Sequence, residues 1–148
     1  MAHFGLCLLL ALLGTQAHVA AILGPDRLLI RMRQLLDITD HLRVLVDKLG
    51  PTTLPAPQDV KRHCERSAFS CFQKAPLQPV NAGENEKIIS LLTKQLRRKL
   101  PPAPKHATRR HKHRDACPPC DSYEKTTTKE FLERLKILLQ KMIHERLS

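Results

Sequence analysis

The sequence predicts an all-α fold, a four-helix bundle that carries two disulfides. Three observations lead to this prediction. Four segments repeat their apolar residues with the period of a helix, and proline-rich stretches separate them. No segment alternates apolar and polar residues convincingly, so no sheet is expected. Four cysteines follow an apolar N-terminal stretch, and an even number of cysteines in an exported chain predicts disulfide bonds.

The N-terminal stretch, residues 1–21, predicts a secretory signal peptide. Phe4 to Leu13 are almost continuously apolar, and small residues follow them. An apolar run of about ten residues is too short for a membrane-spanning helix, which needs roughly 20, so no membrane insertion is expected. Cleavage after Ala17 or after Ala21 satisfies the small-residue rule equally well. Residues 22–148 are long enough for one domain with a modest core.

Four helices are predicted, and their limits come from capping residues and prolines. They run from Asp26 to Gly50, from Asp59 to Ala75, from Glu84 to Leu100 and from Thr127 to Leu147. The residues predicted to face the core are Leu28, Met32, Leu35, Thr39, Leu42, Val46 and Leu49, then Val60, Cys64, Ala68, Cys71 and Phe72, then Ile89, Leu92 and Leu96, and finally Phe131, Leu135, Leu138, Leu139 and Met142. The third connection spans roughly 26 residues, which favours a crossover as in up-up-down-down bundles.

The cysteines of the mature chain are Cys64, Cys71, Cys117 and Cys120, because Cys7 lies in the predicted signal. Two disulfides are expected in an oxidising compartment. A zinc site is less favoured, because the six residues between Cys64 and Cys71 exceed the usual spacing of zinc-binding pairs. A redox role for the CPPC sequence would require a thioredoxin-like βαβ context. Three pairings remain open, although Cys117 and Cys120 are not expected to bond to each other.

The charge of the chain favours anionic partners. It contains 25 Lys and Arg against 14 Asp and Glu, all beyond the predicted signal. Outside the cell this excess favours acidic receptors or sulfated glycans over nucleic acid. The sequence has no Trp, one Tyr and four Phe, too few aromatic residues for base stacking. No nucleic-acid partner is therefore expected.

Two helix surfaces are candidates for binding. On the first helix, an arc of about 120° away from the core combines charged and apolar residues, and it is formed by Arg27, Ile30, Arg31, Gln34, Asp37, Ile38 and His41. Its isoleucines are either binding anchors or isolated apolar residues on a solvated face. On the last helix, Gln140, Ile143 and Leu147 form either a widened core, which the spacing favours, or a second contact strip.

The segment from Arg97 to Arg114 contains eight Lys or Arg and no acid. Sulfated glycans or an acidic receptor surface could bind it, and a merely solvated loop is the equal alternative. No metal site and no cofactor are expected, because His111 and His113 lack further fixed ligands.

Catalysis is not expected either, since the sequence has no phosphate-binding glycine loop, HExxH or GxSxG motif and therefore no candidate catalytic residue. The competing classes are a heparin-binding cationic or antimicrobial protein and a metal carrier.

Four stretches carry a resemblance to a known family. They read DRLLIRMRQLLDITD, SAFSCFQKA, CPPCDSYEK and KEFLERLKILLQKMIH, and they follow one another from about residue 26 to residue 147. In order and cysteine spacing they resemble the short-chain four-helix cytokines that signal through the common γ chain. The resemblance implies a secreted monomer in the up-up-down-down arrangement.

The resemblance also implies partners and sites. The protein would bridge a private receptor and the shared γ chain, and so bring their Janus kinases together to phosphorylate STAT proteins. The private receptor would contact the first and third helices at Arg27, Ile30, Arg31, Gln34, Asp37, Asp40, Lys87, Ile88, Leu91, Lys94, Arg97 and Arg98. The γ chain would contact Gln140 and Ile143 on the last helix. The implied disulfides join Cys64 to Cys117 and Cys71 to Cys120.

Overall fold

The computed structural model describes residues 26–80, 83, 85–102 and 116–147. This part of the chain forms four α-helices, α1 (Arg27–Val44), α2 (Glu65–Lys74), α3 (Glu86–Leu96) and α4 (Thr128–Leu147). Short 3₁₀ turns cover Val46–Lys48, Arg62–Cys64 and Cys120–Ser122, and two short strands are β1 (Leu54–Pro55) and β2 (Lys125–Thr126). The predicted signal peptide, Glu84 and the basic residues from Lys105 to Arg114, with their histidines, lie outside the described residues.

The first and last helices begin with the predicted capping residues. The Asp26 carboxylate accepts a hydrogen bond from the Leu29 N–H at 3.1 Å, so it satisfies one of the free donors of the first turn. The Thr127 hydroxyl oxygen accepts from the Glu130 N–H at 3.2 Å, which is one half of the predicted capping box. Both predicted helix starts are confirmed.

The predicted end of α1 at Gly50 is wrong, because the α-helix stops at Val44. The chain then tightens into the 3₁₀ turn and becomes extended at Leu49. The Gly50 N–H donates to the Gln78 carbonyl at 3.0 Å, and the Val80 N–H donates to the Lys48 carbonyl at 2.8 Å. Pairing with this distant extended segment therefore takes the place of the last helical turn.

The second and third helices are also shorter than predicted. Asp59 has a φ of 52°, which a helix cannot contain, so α2 begins only at Glu65, after the 3₁₀ turn. At the end of α3, the Gln73 side-chain amide donates to the carbonyls of Leu96 and Arg98 at 3.0 and 2.8 Å. These carbonyls thus find a partner on α2, and the α-helix ends at Leu96 instead of Leu100.

A small antiparallel sheet corrects the expectation of a purely helical chain. Leu54 pairs with Thr126, and Pro55 pairs with Lys125. Each strand is only two residues long, so neither could produce the alternating pattern that identifies a strand in sequence. The sheet places the connection after α1 beside the segment that leads into α4.

The core follows the predicted helix stripes. The aromatic centre is the pair Phe72 and Phe131, whose ring centroids are 5.0 Å apart in an edge-to-face arrangement. Of the predicted core residues only Val46, Val60 and Leu92 are half-buried, and the others are buried. The additional buried side chains include Leu54, Phe69, Leu77 and Leu132.

Two disulfides join α2 and the turn before it to the segment that precedes α4. Cys64 bonds to Cys117 and Cys71 bonds to Cys120, with Cα separations of 5.5 and 5.4 Å. The pairing implied by the family resemblance is confirmed, and so is the expectation that Cys117 and Cys120 do not bond to each other. A zinc site at these sulfur atoms is not supported, because no sulfur is a free thiolate. The redox role of CPPC is not supported either, because its two cysteines bond to different partners and not to each other.

Charged contacts define which helix ends lie together. Arg146 near the end of α4 pairs with Asp26 before α1, with Nε and Oδ2 2.8 Å apart. Near the end of α1, the Asp40 carboxylate lies 2.9 Å from the amine of Lys136, which is near the middle of α4. The Arg31 guanidinium, near the start of α1, donates to the Gln95 carbonyl near the end of α3. Within the described ranges, no helix combines the length and apolar character needed to cross a membrane.

Candidate functional site

The residues expected to bind a private receptor lie mostly on one exposed surface of α1 and α3. All twelve fall within the described residues, and all except Arg31 and Asp40 are exposed. The two helices pack against each other, and the bond from Arg31 to the Gln95 carbonyl joins them. We call this surface the α1/α3 face.

Three large apolar side chains stand out from the α1/α3 face. Ile30 is 48% exposed, Ile88 is 49% exposed and Leu91 is 58% exposed. Each sits among cations in the sequence, because Arg27, Arg31, Lys87 and Lys94 lie within three or four residues of one of them. Exposed apolar side chains surrounded by charge are typical of binding anchors.

The α1/α3 face is positively charged, and carboxylates balance little of this charge. Burial lowers the pKa of the Arg31 guanidinium, and the neighbouring positive charge of Arg98 lowers it further. Arg98 donates to the Gln95 side-chain oxygen at 3.3 Å, so both arginines are held by a neutral residue. The surface would therefore attract an anionic partner.

Asp40 does not lie with the other predicted private-receptor residues. It is nine positions after Arg31, which places it on the opposite side of α1 at roughly 100° per residue. There it pairs with Lys136 of α4 and with Arg43. The hydrogen bond from Lys136 is the largest of the contacts that lower the pKa of Asp40. The helical period could have shown this separation in the sequence.

The residues expected to bind the γ chain occupy the exposed border of α4. Gln140 is exposed, whereas Ile143 is half-buried and packs against the core. Leu147, the third member of the strip, is 60% exposed. Ile143 therefore widens the core, whereas Gln140 and Leu147 remain exposed. Each of the two interpretations of the sequence holds for part of the strip.

Sequence reasoning missed an exposed apolar residue one turn before Gln140 on α4. Ile137 is 61% exposed and lines a groove together with Pro57, Val60 and Leu138. The sequence could have indicated that Ile137 is exposed, because it lies outside the predicted core stripe of the last helix. No receptor contact was assigned to it.

A buried glutamate beside a second carboxyl group was also missed. Glu65 is only 7% exposed, and its Oε2 has no hydrogen-bond partner among the described residues. Burial, followed by a hydrogen bond with Glu145, raises the pKa of Glu65 to about 8. The Lys141 amine lies 3.9 Å from Oε2 and acts in the opposite direction. The Glu65 carboxyl, with its pKa of about 8, therefore favours its protonated form at neutral pH.

One group of possible metal ligands is present in the described residues. The ligand atoms of His63, Cys64 and Cys117 lie within 4.8 Å of one another. Both cysteines belong to the same disulfide, so neither offers the thiolate that binds a metal. The histidines considered for metal binding, His111 and His113, lie outside the described residues.

No protein-family model matches this sequence.

Proposed function

We propose that this chain is a secreted cytokine of the interleukin-21 type. It bridges the interleukin-21 receptor and the common γ chain, and the paired receptors then activate JAK/STAT signalling in lymphocytes. Residues 1–21 are the signal peptide in this proposal, and residues 22–148 form the cytokine. The observation that carries the proposal is a disulfide-bonded helical scaffold with two separate exposed surfaces, each of which contains apolar side chains.

The proposed topology is the up-up-down-down arrangement of these cytokines. The contact between Asp26 and Arg146 and the contact between Asp40 and Lys136 support opposite directions for α1 and α4. The Arg31 bond to the Gln95 carbonyl supports opposite directions for α1 and α3. At α2, Phe72 near its end meets Phe131 near the start of α4, in keeping with opposite directions there too. Two helices would then run one way and two the other.

The α1/α3 face is the proposed site for the private receptor. Ile30, Ile88 and Leu91 provide apolar area that is already exposed in the free protein. The cations around them would speed the encounter with an acidic receptor surface and fix its orientation. Asp40 is the exception, because its carboxylate is occupied by Lys136 and Arg43 on the α4 side.

The γ chain would bind the border of α4 at Gln140 and Ile143. Neither of these two residues is charged, whereas six of the residues assigned to the private receptor are cations, so electrostatic attraction contributes less to the association rate of the γ chain. We therefore expect weaker binding to the γ chain than to the private receptor. One site lies on α1 and α3 and the other lies on α4, so two receptors could bind one monomer together.

The proposal is tested by mixing the purified full-length mature protein with soluble ectodomains of both receptors. A ternary complex with one copy of each component is expected in size-exclusion chromatography with light scattering. The double variant Gln140→Asp/Ile143→Asp should keep its affinity for the private receptor and lose both the ternary complex and STAT phosphorylation in responsive cells.

A matched control makes the same Gln-to-Asp change away from α4. Gln78→Asp alters an exposed glutamine in the segment between α2 and α3. This variant should signal normally. Because Ile143 is half-buried, the single variant Gln140→Asp provides the same test without a change in packing. If both affinities fell together in the Gln140 variants, the idea of two independent sites would be rejected.

A further inference from the structure

Several arginines of the described residues fall into two groups according to the kind of partner they contact. Arg43 pairs with Glu133, Arg146 pairs with Asp26, and Arg134 lies 3.3 Å from Glu130. All of these contacts involve α4. Their positive charges are balanced by carboxylates, so they add little to the electric field outside the protein.

Arg31 of α1 and the two arginines that follow α3 donate to uncharged oxygens instead. Arg31 donates to the Gln95 carbonyl, Arg98 donates to the Gln95 side-chain oxygen at 3.3 Å, and Arg97 donates to the Ala75 carbonyl at 3.4 Å. Among the described residues no carboxylate forms an ion pair with any of the three. We call these three residues the arginine cluster. Their positive charge is positioned by the fold but is not neutralised.

The position of the arginine cluster explains how like charges can stay together. The last carbonyls of a helix carry partial negative charge, and the Gln95 carbonyl belongs to the last turn of α3. This local attraction, together with the packing of α1 on α3, offsets the repulsion between Arg31 and Arg98. Lys94 and Lys99 are exposed on either side of Arg97 and Arg98 in the sequence and add two more positive charges.

We propose that the arginine cluster binds the sulfate groups of a sulfated polysaccharide. A guanidinium has five N–H donors, and the contacts within the protein use only a few of them. The remaining donors form the planar fork that suits tetrahedral oxyanions such as sulfate. A polyanion that contacts several fixed cations also releases its condensed counterions, which adds a salt-dependent gain in affinity.

A polysaccharide suits this cluster better than a nucleic acid does. Single-stranded nucleic acids gain affinity by stacking bases on aromatic side chains. The sequence contains one Tyr and no Trp, and three of the four Phe, at 69, 72 and 131, are completely buried. Sulfate groups along a sugar chain need only cations at suitable spacing, and the cluster provides them.

The same residues belong to the proposed private-receptor site. If the proposed function is correct, a bound polysaccharide and the private receptor exclude each other, while Gln140 on α4 remains accessible to the γ chain. The polysaccharide would then hold the cytokine in an inactive reservoir near cell surfaces. This consequence rests on the proposed function, whereas the binding of sulfate groups to the cluster does not.

The test measures the affinity of the full-length mature protein, with its disulfides intact, for a heparin dodecasaccharide by calorimetry. The variant Arg31→Gln/Arg97→Gln/Arg98→Gln should bind at least about tenfold more weakly at physiological salt. The slope of log affinity against log salt concentration should fall by roughly two to three, about one for each lost cation. Thermal unfolding of the same sample checks that the variant is folded, and replacement of the three arginines by Lys should restore part of the affinity.

Two control variants remove the same number of positive charges elsewhere. Arg33→Gln/Lys125→Gln/Lys129→Gln changes three exposed cations of the folded protein, and Arg109→Gln/Arg110→Gln/Lys112→Gln changes the basic segment. Each should weaken binding by less than about threefold, as expected for general charge alone. Equal losses in a control and in the cluster variant would overturn the assignment to the cluster. Equally tight binding of a single-stranded oligonucleotide with the same charge would overturn the assignment to a polysaccharide.

A competition experiment separates this inference from the proposed function. Saturating dodecasaccharide should block the private-receptor ectodomain and leave the γ-chain ectodomain unaffected. If the private receptor fails to bind even without the dodecasaccharide, the proposed function is wrong while the polysaccharide site stands. If the private receptor binds equally well to the saturated protein, the shared site is wrong.

Discussion

Replacing Glu65 by Gln should remove a pH dependence from the stability of the protein. Glu65 is buried between α2 and α4, where it faces Glu145, Lys141 and Arg62. The Lys141 amine lies 3.9 Å from Glu65, and Arg62 lies 4.0 Å from Glu145. A Gln side chain has the shape of a protonated Glu and can still donate a hydrogen bond to Glu145. The variant therefore imitates the neutral form of Glu65 at every pH.

The direction of the effect follows from the raised pKa. In the unfolded chain the pKa of Glu65 returns to its ordinary value of 4.5, whereas in the folded protein it is about 8. Between these values the folded protein binds a proton that the unfolded chain has released. The free energy of unfolding of the native sequence therefore falls as the pH rises from 4.5 towards 8.

The magnitude has an upper limit set by one proton. A full proton of difference changes the free energy of unfolding by about 1.4 kcal/mol per pH unit. Glu145 is partly exposed, and Lys141 and Arg62 favour the charged carboxylate, so we expect roughly half of this slope. Between pH 5 and pH 8 the native sequence should lose about 2 kcal/mol more than the Glu65→Gln variant.

Urea unfolding at pH 5, 6, 7 and 8, followed by circular dichroism with the disulfides intact, measures this difference directly. Glu86→Gln is the matched control, because it changes an exposed carboxylate on α3 and should leave the slope of the native sequence unchanged. Glu145→Gln removes the partner carboxylate and should flatten the slope in part. If Glu65→Gln retained the full pH dependence of the native protein, the raised pKa of Glu65 would be refuted.

Three further predictions follow from single contacts. Arg31→Glu should weaken binding to the private receptor by more than about 1 kcal/mol in a surface-binding assay, and an unchanged affinity would remove α1 from that site. Replacing Cys71 and Cys120 with Ser opens a disulfide between residues 49 positions apart and should cost about 2–4 kcal/mol of stability in urea unfolding. Asp26→Ala removes the cap of α1 and the partner of Arg146, so the free energy of unfolding should fall by about 1–2 kcal/mol, and a smaller loss would show that water replaces both contacts.

The sequence predicted the helices well where local chemistry decides them. Asp26 and Thr127 cap the helices that they were expected to cap, because a side-chain oxygen beside free N–H donors acts within one turn. The buried stripe of α1 was predictable for the same reason, since spacing alone decides which side chains share a face. Leu35 and Leu42 on that stripe are completely buried.

Long-range contacts account for the differences. Neither Gly50 nor Pro51 shows that the α-helix stops at Val44, because the cause is pairing with a segment about 30 residues further along the chain. The two-residue strands have no local pattern that could reveal them. The high pKa of Glu65 depends first on burial and then on Glu145, which is 80 positions away in the sequence and close only after folding. Rules that use only neighbouring residues cannot predict contacts between residues so far apart in the sequence.

The charged residues that stabilise the fold lie between α1 and α4, whereas the charged residues proposed to bind partners lie on α1 and α3. Between helices of the described chain, ion pairs connect α4 to α1, at Asp40 with Lys136 for example, and none joins α1 to α3. The α1/α3 contact is held by apolar packing and by the Gln95 carbonyl, which accepts from Arg31. Changes to the exposed cations of the α1/α3 face, such as Lys87 and Lys94, should therefore alter binding with little loss of stability, since exposed unpaired charges contribute little to folding. Changes to Asp40 should do the reverse, because its carboxylate holds α1 to α4. Changes to Arg31 should affect both binding and stability, because its guanidinium also joins α1 to α3.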